Sequence, residues 1–154
     1  MRLEEKIAKA LLKGKKTLSI AESCTGGLLT HRLTNIPGSS GFLMATVVSY
    51  SNASKTKILK VPPDLILKHG AVSLTVAKRM AQGVRRLLNT DLAVSITGIA
   101  GPTGATPQKP VGLTFIAIAT RQKVICEQNV FKGTRLRIKE QAAQRALQLL
   151  VTLL

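Results

Sequence analysis

Cysteine, histidine, acidic and aromatic side chains are all scarce in this chain, and each shortage removes a class of chemistry. Cys24 and Cys126 are the only cysteines and stand far apart, so there is neither a disulfide framework nor a CxxC metal knuckle. His31 and His69 are the only histidines and lack HExxH spacing, which argues against zinc. The seven acids, Glu4, Glu5, Glu22, Asp64, Asp91, Glu127 and Glu140, are scattered. That disfavours a paired-carboxylate acid/base site and a carboxylate cage for magnesium. No metal or cofactor is expected. With no tryptophan, Phe42, Phe115, Phe131 and Tyr50 are too few for a base-stacking platform. The longest mainly apolar runs, 41–48 and 111–119, fall short of the roughly 18 residues that cross a bilayer. Residues 1–16 carry Glu4 and Glu5 where a targeting peptide avoids acids. A cytoplasmic protein with no membrane partner is the expectation.

What is abundant is apolar side chain and positive charge. A length of 154 residues at 45% hydrophobic composition suits one domain with its own core, without repeat, low-complexity tract or linker. Twenty-three Lys and Arg against seven Asp and Glu leave a formal charge of +16. Such a field concentrates anions, phosphates or nucleic acid among them, without naming one. No nucleic-acid motif accompanies it, so nucleic acid is expected only as a nonspecific electrostatic partner.

The spacing of Leu3, Ile7, Ala10 and Leu11 predicts a helix over 3–13 that Gly14 ends. Residues 17–21 read as a strand and 26–33 as a short helix. Residues 42–50, rich in apolar and β-branched side chains, read as a buried strand, followed by a helix over 52–59 that Pro62 and Pro63 terminate. Ser73 can cap a long amphipathic helix carrying Val76, Ala77, Met80, Ala81, Val84, Leu87 and Leu88 on one face. Residues 92–97 form a strand and 98–110 a Gly/Pro loop. Residues 111–119 and 123–131 pair antiparallel around Thr120-Arg121-Gln122, and a helix begins at Arg135. The order α-β-α-β-α-α-β-β-β-α predicts a three-layer α/β/α domain around a mixed sheet.

Four segments fall at the strand ends where open α/β sheets bind ligands. Ala21-Glu22-Ser23-Cys24-Thr25-Gly26-Gly27 is a strand-to-helix turn, either a plain N-cap with two permissive glycines or a cradle for an oxyanion. In Ser49-Tyr50-Ser51-Asn52-Ala53-Ser54-Lys55, Lys55 falls in the first turn of a helix, where the dipole opposes a cation. Buried there, its amine suits a general base; left in water, it is one lysine among many. Thr97-Gly98-Ile99-Ala100-Gly101 opens a long loop, mobile or ligand-binding, that reaches Lys109 and Gly112 and matches neither the Walker A nor the dinucleotide pattern. Arg135, Arg137 and Lys139 follow Thr134 at a helix start, a phosphate site or simply basic composition.

For a nucleophile the inventory offers Ser23, Cys24 and Thr25. A Ser-His-Asp triad is disfavoured, since neither histidine and neither aspartate lies in the four segments. Cys24 is an activated thiolate or a packed core residue. A Ser/Lys arrangement remains: Ser23 attacks, Lys55 takes its proton, and the Tyr50 phenol relays or positions that proton.

AESCTGG (21–27), YSNxxK (50–55), GAVS (70–73) and SITGIAGPTG with KPVG (95–112) together resemble the C-terminal domain family of the competence/damage-inducible protein CinA. Its members also occur alone, as nicotinamide-nucleotide amidases of the PncC type. The resemblance runs in order through nearly the whole chain. It implies hydrolysis of the carboxamide of nicotinamide mononucleotide (NMN) to nicotinic acid mononucleotide and ammonia, with Ser23 as nucleophile, Lys55 as base and Tyr50 beside them. Cys24, Thr25 and Gly26, or Thr97, Gly98 and Gly101, would then supply oxyanion donors, Arg135 or Lys109 would meet the phosphate, and Asn52 would contact substrate. Glu22 would face the pyridinium ring or form a structural ion pair. Two-domain members carry an additional N-terminal nucleotide-processing domain, to which nothing in these 154 residues corresponds, so its activities are not expected. The family's Gly-Gly appears here as Gly104-Ala105, an acid after the late glycine as Thr134, and a common arginine as Lys139. A homo-oligomer is expected. The competing readings are a catalytically silent nucleotide-binding relative and a basic nucleic-acid binder.

Overall fold

In a computed structural model describing residues Met1–Leu154, the chain runs α1 (Leu3–Lys13), β1 (Leu18–Glu22), α2 (Leu28–Thr34), a 3-10 turn (Ser39–Gly41), β2 (Leu43–Val48), α3 (Asn52–Lys57) and α4 (Pro63–His69). It continues through α5 (Leu74–Leu88), β3 (Leu92–Gly98), β4 (Leu113–Ala119), β5 (Val124–Val130) and α6 (Arg135–Val151). The five strands lie in the order β2-β1-β3-β4-β5. β1 is parallel to β2 and β3, while β4 and β5 run as an antiparallel hairpin off β3. The C-terminal ends of β1, β2, β3 and β5 therefore open on one edge of the sheet.

Period-two alternation sorts the strand residues into two cores. Leu18, Ile20, Val94, Ile96, Ile116 and Ile118 meet Ile7 and Leu11 of α1, Leu29 and Leu33 of α2, and Ala142, Ala146 and Leu150 of α6. Each such fully buried Leu or Ile contributes about 1.5–3 kcal/mol. The opposite face carries smaller residues, Ala21, Ala93, Ala117 and Ala119, under Val76, Ala77, Met80, Ala81 and Val84 of α5. Small side chains let α5 approach closely enough for Ser19 and Ser95 to donate to its carbonyls at Val84 (3.1 Å) and Ala77 (2.6 Å). The result is the expected three-layer α/β/α domain around a mixed sheet. The hydroxyls of Ser73 and Thr134 cap α5 and α6 as predicted, accepting from the Val76 and Arg137 N–H groups. No helix is long and apolar enough to cross a membrane, and no group of three or more His, Cys, Asp or Glu side chains could hold a metal ion.

Three expectations need correction. The helix read over 26–33 starts at Leu28, because Gly26 and Gly27 take left-handed φ values of 62° and 102°. The helix read over 52–59 ends at Lys57, ahead of the Pro62-Pro63 pair expected to stop it; Pro63 instead occupies the first position of α4, where its missing N–H costs nothing and its φ is preset. β2 is not buried but lies at the sheet edge, with Met44 39% and Val48 46% exposed. β-branched composition marks a strand without marking its neighbours.

Glu22, the last residue of β1, is fully buried and organises the start of α2. Its carboxylate accepts from the Thr25 hydroxyl (2.6 Å), the Gly27, Leu29 and Thr30 N–H groups (3.0, 3.2 and 2.9 Å) and the Thr30 hydroxyl (2.8 Å). It supplies the cap that Gly27, lacking a side chain, cannot. Removing it leaves five donors without a partner. We expect Glu22→Ala to lower unfolding free energy by about 3 kcal/mol or more, and Glu22→Gln, which keeps one acceptor oxygen, by less; urea denaturation followed by circular dichroism measures both.

Candidate active site

Two strand ends place the central pair. Beyond β1, the Ser23 N–H donates to the Ile96 carbonyl of β3 (3.1 Å); beyond β2, the Ser49 N–H donates to the Glu22 carbonyl (2.8 Å). These bonds bring the Ser23 turn alongside the segment that leads into α3. The Ser51 hydroxyl caps that helix by accepting from the Ser54 N–H (3.1 Å), which turns Lys55 inward. Lys55 is only 1% exposed. Its Nζ lies 3.0 Å from Ser23 Oγ and donates to the Ser49 carbonyl at 2.6 Å.

No carboxylate accompanies this amine. Desolvation holds the Lys55 pKa below the ordinary lysine value, with a charge on Cys24 as the opposing influence. Burial also pushes the Cys24 thiol up to about 11, so at neutral pH that opposing charge is absent and Lys55 shifts toward the free amine. The same value corrects the reading of Cys24 as an activated thiolate: it is a buried thiol whose sulfur packs beside Gly98.

The pair opens into a cavity of about 260 Å³, bordered by Ser23, Cys24, Tyr50, Asn52, Lys55, Thr97, Gly98, Gly101 and Arg135 of the expected residues. Ala71, Val72, Ile99, Ala100, Thr103 and Gly104 complete the wall. Ala71 and Val72 belong to the GAVS motif but are not among the expected site residues; the Thr97 hydroxyl ties them to the site by donating to the Ala71 carbonyl at 3.0 Å. Of the backbone donors at hand, the N–H of Gly26 is taken by the Ser23 carbonyl and that of Ile99 by the Leu113 carbonyl. The N–H groups of Cys24, Ala100 and Gly101 have no partner within the chain and stand free for an oxyanion. Ala105 does not narrow the loop, since the positive φ (93°) belongs to Gly104.

Several expected site residues lie elsewhere. Glu22 neither faces the cavity nor forms an ion pair, because both its oxygens hold α2. Thr25 is buried against Glu22, and Gly26 lies outside the cavity wall, near Lys139. Lys109 clamps one loop onto another, its Nζ donating to the carbonyls of His69 and Val72, away from the cavity. Tyr50 lies on the cavity wall but is 62% exposed, and its hydroxyl accepts from Arg135 Nη2 at 3.1 Å, with no hydrogen bond to Ser23 or Lys55. Arg135 Nη1 donates to the Gly101 carbonyl (2.7 Å), so this guanidinium bridges the two loops that rim the mouth.

The family model described as the CinA C-terminal domain matches residues 1–154. A CinA-like protein of Syntrophus aciditrophicus is 52% identical over 149 residues, covering 96% of this chain and 36% of that protein. A CinA-like protein of Sulfurihydrogenibium sp. is 46% identical, covering 97% and 38%. The chain thus spans little more than a third of the length of these relatives. Among solved structures, the competence damage-inducible protein A of Klebsiella pneumoniae superposes with a TM-score of 0.95 at 30% identity, covering 97% of this chain and 93% of that one. The competence/damage inducible protein of Agrobacterium tumefaciens superposes at 0.91 and 34% identity, covering 99% and 96%. By sequence along its whole length and by fold, the chain belongs to the CinA C-terminal domain family.

Proposed function

We propose that the chain is an amidohydrolase that converts NMN to nicotinic acid mononucleotide and ammonia through a Ser23 acyl-enzyme, a step in pyridine-nucleotide recycling. The observation that carries this reading is the buried contact of 3.0 Å between Lys55 Nζ and Ser23 Oγ, with no carboxylate to keep the amine charged. A protonated Lys55 donates across that contact; a neutral one lets the Ser23 hydroxyl donate in the other direction, as general-base catalysis requires.

Ser23 Oγ attacks the carboxamide carbon while its proton passes to Lys55, and the Ser49 carbonyl steadies the ammonium that forms. The tetrahedral oxyanion accepts from the free N–H groups of Cys24, Ala100 and Gly101, each good donor contributing about 3 kcal/mol. Lys55 returns the proton to the departing nitrogen, the C–N bond breaks, and ammonia leaves an ester on Ser23. Water then attacks the ester carbon, giving a proton to Lys55. The ester C–O bond breaks, Ser23 recovers its proton, and the carboxylate product departs. Arg135, at the rim, is the cation placed to meet the 5′-phosphate, and its planar fork suits bidentate contact.

Ammonia release from NMN should fall by about 10⁴-fold or more in Ser23→Ala and in Lys55→Ala, with melting curves showing that both remain folded. Full activity in either rejects the assignment. Because the neutral amine is the active form, kcat/KM should rise with pH below the Lys55 pKa and level off above it. The inflection is expected below the usual lysine value of about 10.4; a rate that falls as pH rises from about 6 to about 8 contradicts a lysine base. Arg135→Ala should raise KM for NMN about 10- to 100-fold while leaving KM for the unphosphorylated riboside nearly unchanged, as steady-state kinetics on both substrates would show.

A further inference from the structure

The segment between α4 and α5 is held by side chains where regular structure would use backbone pairing. Its four successive carbonyls, from His69 to Val72, accept from side chains alone. Lys109 Nζ donates to those of His69 and Val72 (2.7 Å to Val72), the Ser73 hydroxyl to that of Gly70 (2.9 Å) and the Thr97 hydroxyl to that of Ala71 (3.0 Å). Ser73 and Thr97 are buried and rooted in regular structure, one capping α5 and the other within β3. Lys109 reaches across from the loop that follows β3.

That loop presents the amine from a closed turn. The Thr106 N–H donates to the Lys109 carbonyl (2.9 Å), and the Lys109 N–H donates back to the Thr106 carbonyl (3.2 Å) and hydroxyl (3.1 Å). Pro107 and Pro110, whose rings preset φ, stiffen the backbone on either side of the lysine. The amine is seated over Gly70, where a Cβ would lie 2.7 Å from Nζ, too close for both to stay. The GAVS and KPVG motifs, neither of which supplies a reacting group, are thus the two halves of one clasp.

What the clasp holds is a wall of the candidate active site. Ala71, Val72, Ile99 and Gly104 border the Ser23 cavity and also line an outer groove of about 450 Å³, so a single layer of residues separates the two. Atoms with open space beside them lack packing partners on that side, and the place of such a layer depends on the hydrogen bonds along it. Thr97 ties the 69–72 segment to the strand before the loop; Lys109 alone ties it to the limb of the loop that returns toward β4.

We propose that Lys109 is a positioning residue for this site: without touching substrate, its amine fixes the Ala71-Val72 wall against the 99–112 loop and so sets the width of the apolar part of the cavity. The proposal rests on NMN hydrolysis as the reaction. With the carboxamide at Ser23 and the phosphate at Arg135 on the rim, the apolar wall meets the nicotinamide end. That end is common to NMN and its unphosphorylated riboside, so loss of the clasp should affect both substrates alike.

Lys109→Met, which keeps the aliphatic stem and removes the donors, tests this in the full chain by two measurements. Backbone order parameters from nitrogen-15 relaxation at Ala71 and Val72 should drop from a rigid value of about 0.85 to below about 0.6, with no substrate present. Steady-state kinetics should show KM raised about 10-fold for NMN and for the riboside by the same factor. A lysine that merely stabilised the fold would lower kcat with the active fraction and leave KM where it was. Order parameters that stay rigid, or KM values that do not move, overturn the proposal. So does a KM raised for NMN alone, which would make Lys109 a phosphate contact. A wild type that turns over neither substrate rejects NMN hydrolysis instead, and the order parameters then decide the clasp by themselves.

Discussion

An amine enclosed by protein with no acid beside it is the constraint on which this site depends. Burying an ammonium without a counterion is expensive, and the group relieves that cost by giving up its proton. Lys55 is 1% exposed, and what it touches is the Ser49 carbonyl and the Ser23 hydroxyl, both neutral. Each can accept from the amine or its conjugate acid, but neither holds the charge as a carboxylate would. The surrounding positive charge of the chain acts in the same direction.

The one carboxylate close in sequence to this pair is Glu22, and the fold removes it from the chemistry. It is the residue immediately before Ser23, yet its oxygens are spent on five donors between Thr25 and Thr30. A strand alternates its side chains between faces, so neighbours in sequence point to opposite sides. Glu22 thus fixes the start of α2 while Ser23 faces the cavity. Had the carboxylate turned toward Lys55, it would have stabilised the ammonium and raised its pKa. The same interaction that anchors a helix therefore leaves the Lys55 amine without a counterion.

With Glu22 withdrawn, the cavity wall contains no acid at all, and its remaining full charge is Arg135 at the mouth. Ala71, Val72, Ile99 and Ala100 give the cavity an apolar lining beside the Ser23 hydroxyl and the unpaired N–H groups of Cys24, Ala100 and Gly101.

Much of this was legible in the residues themselves. A chain with two histidines, two aspartates and no metal-ligand spacing has few ways to activate a hydroxyl, and elimination leads to Ser23 with Lys55. Hydrophobic periodicity gave the layers, and the capping roles of Ser73 and Thr134 followed from local chemistry. What sequence could not supply was direction. Tyr50 meets Arg135 across 85 positions and Lys109 meets His69 across 40, distances over which composition and spacing say nothing about which partner a flexible side chain finds. β2 has the composition of a central strand and the position of an edge, because burial depends on neighbours that arrive from elsewhere in the chain. The sequence by itself determined which groups were available to react. Tertiary structure alone decided which of them were dry, which were already bonded and which faced one another, since desolvation and hydrogen-bond satisfaction belong to the packed chain and not to its order of residues.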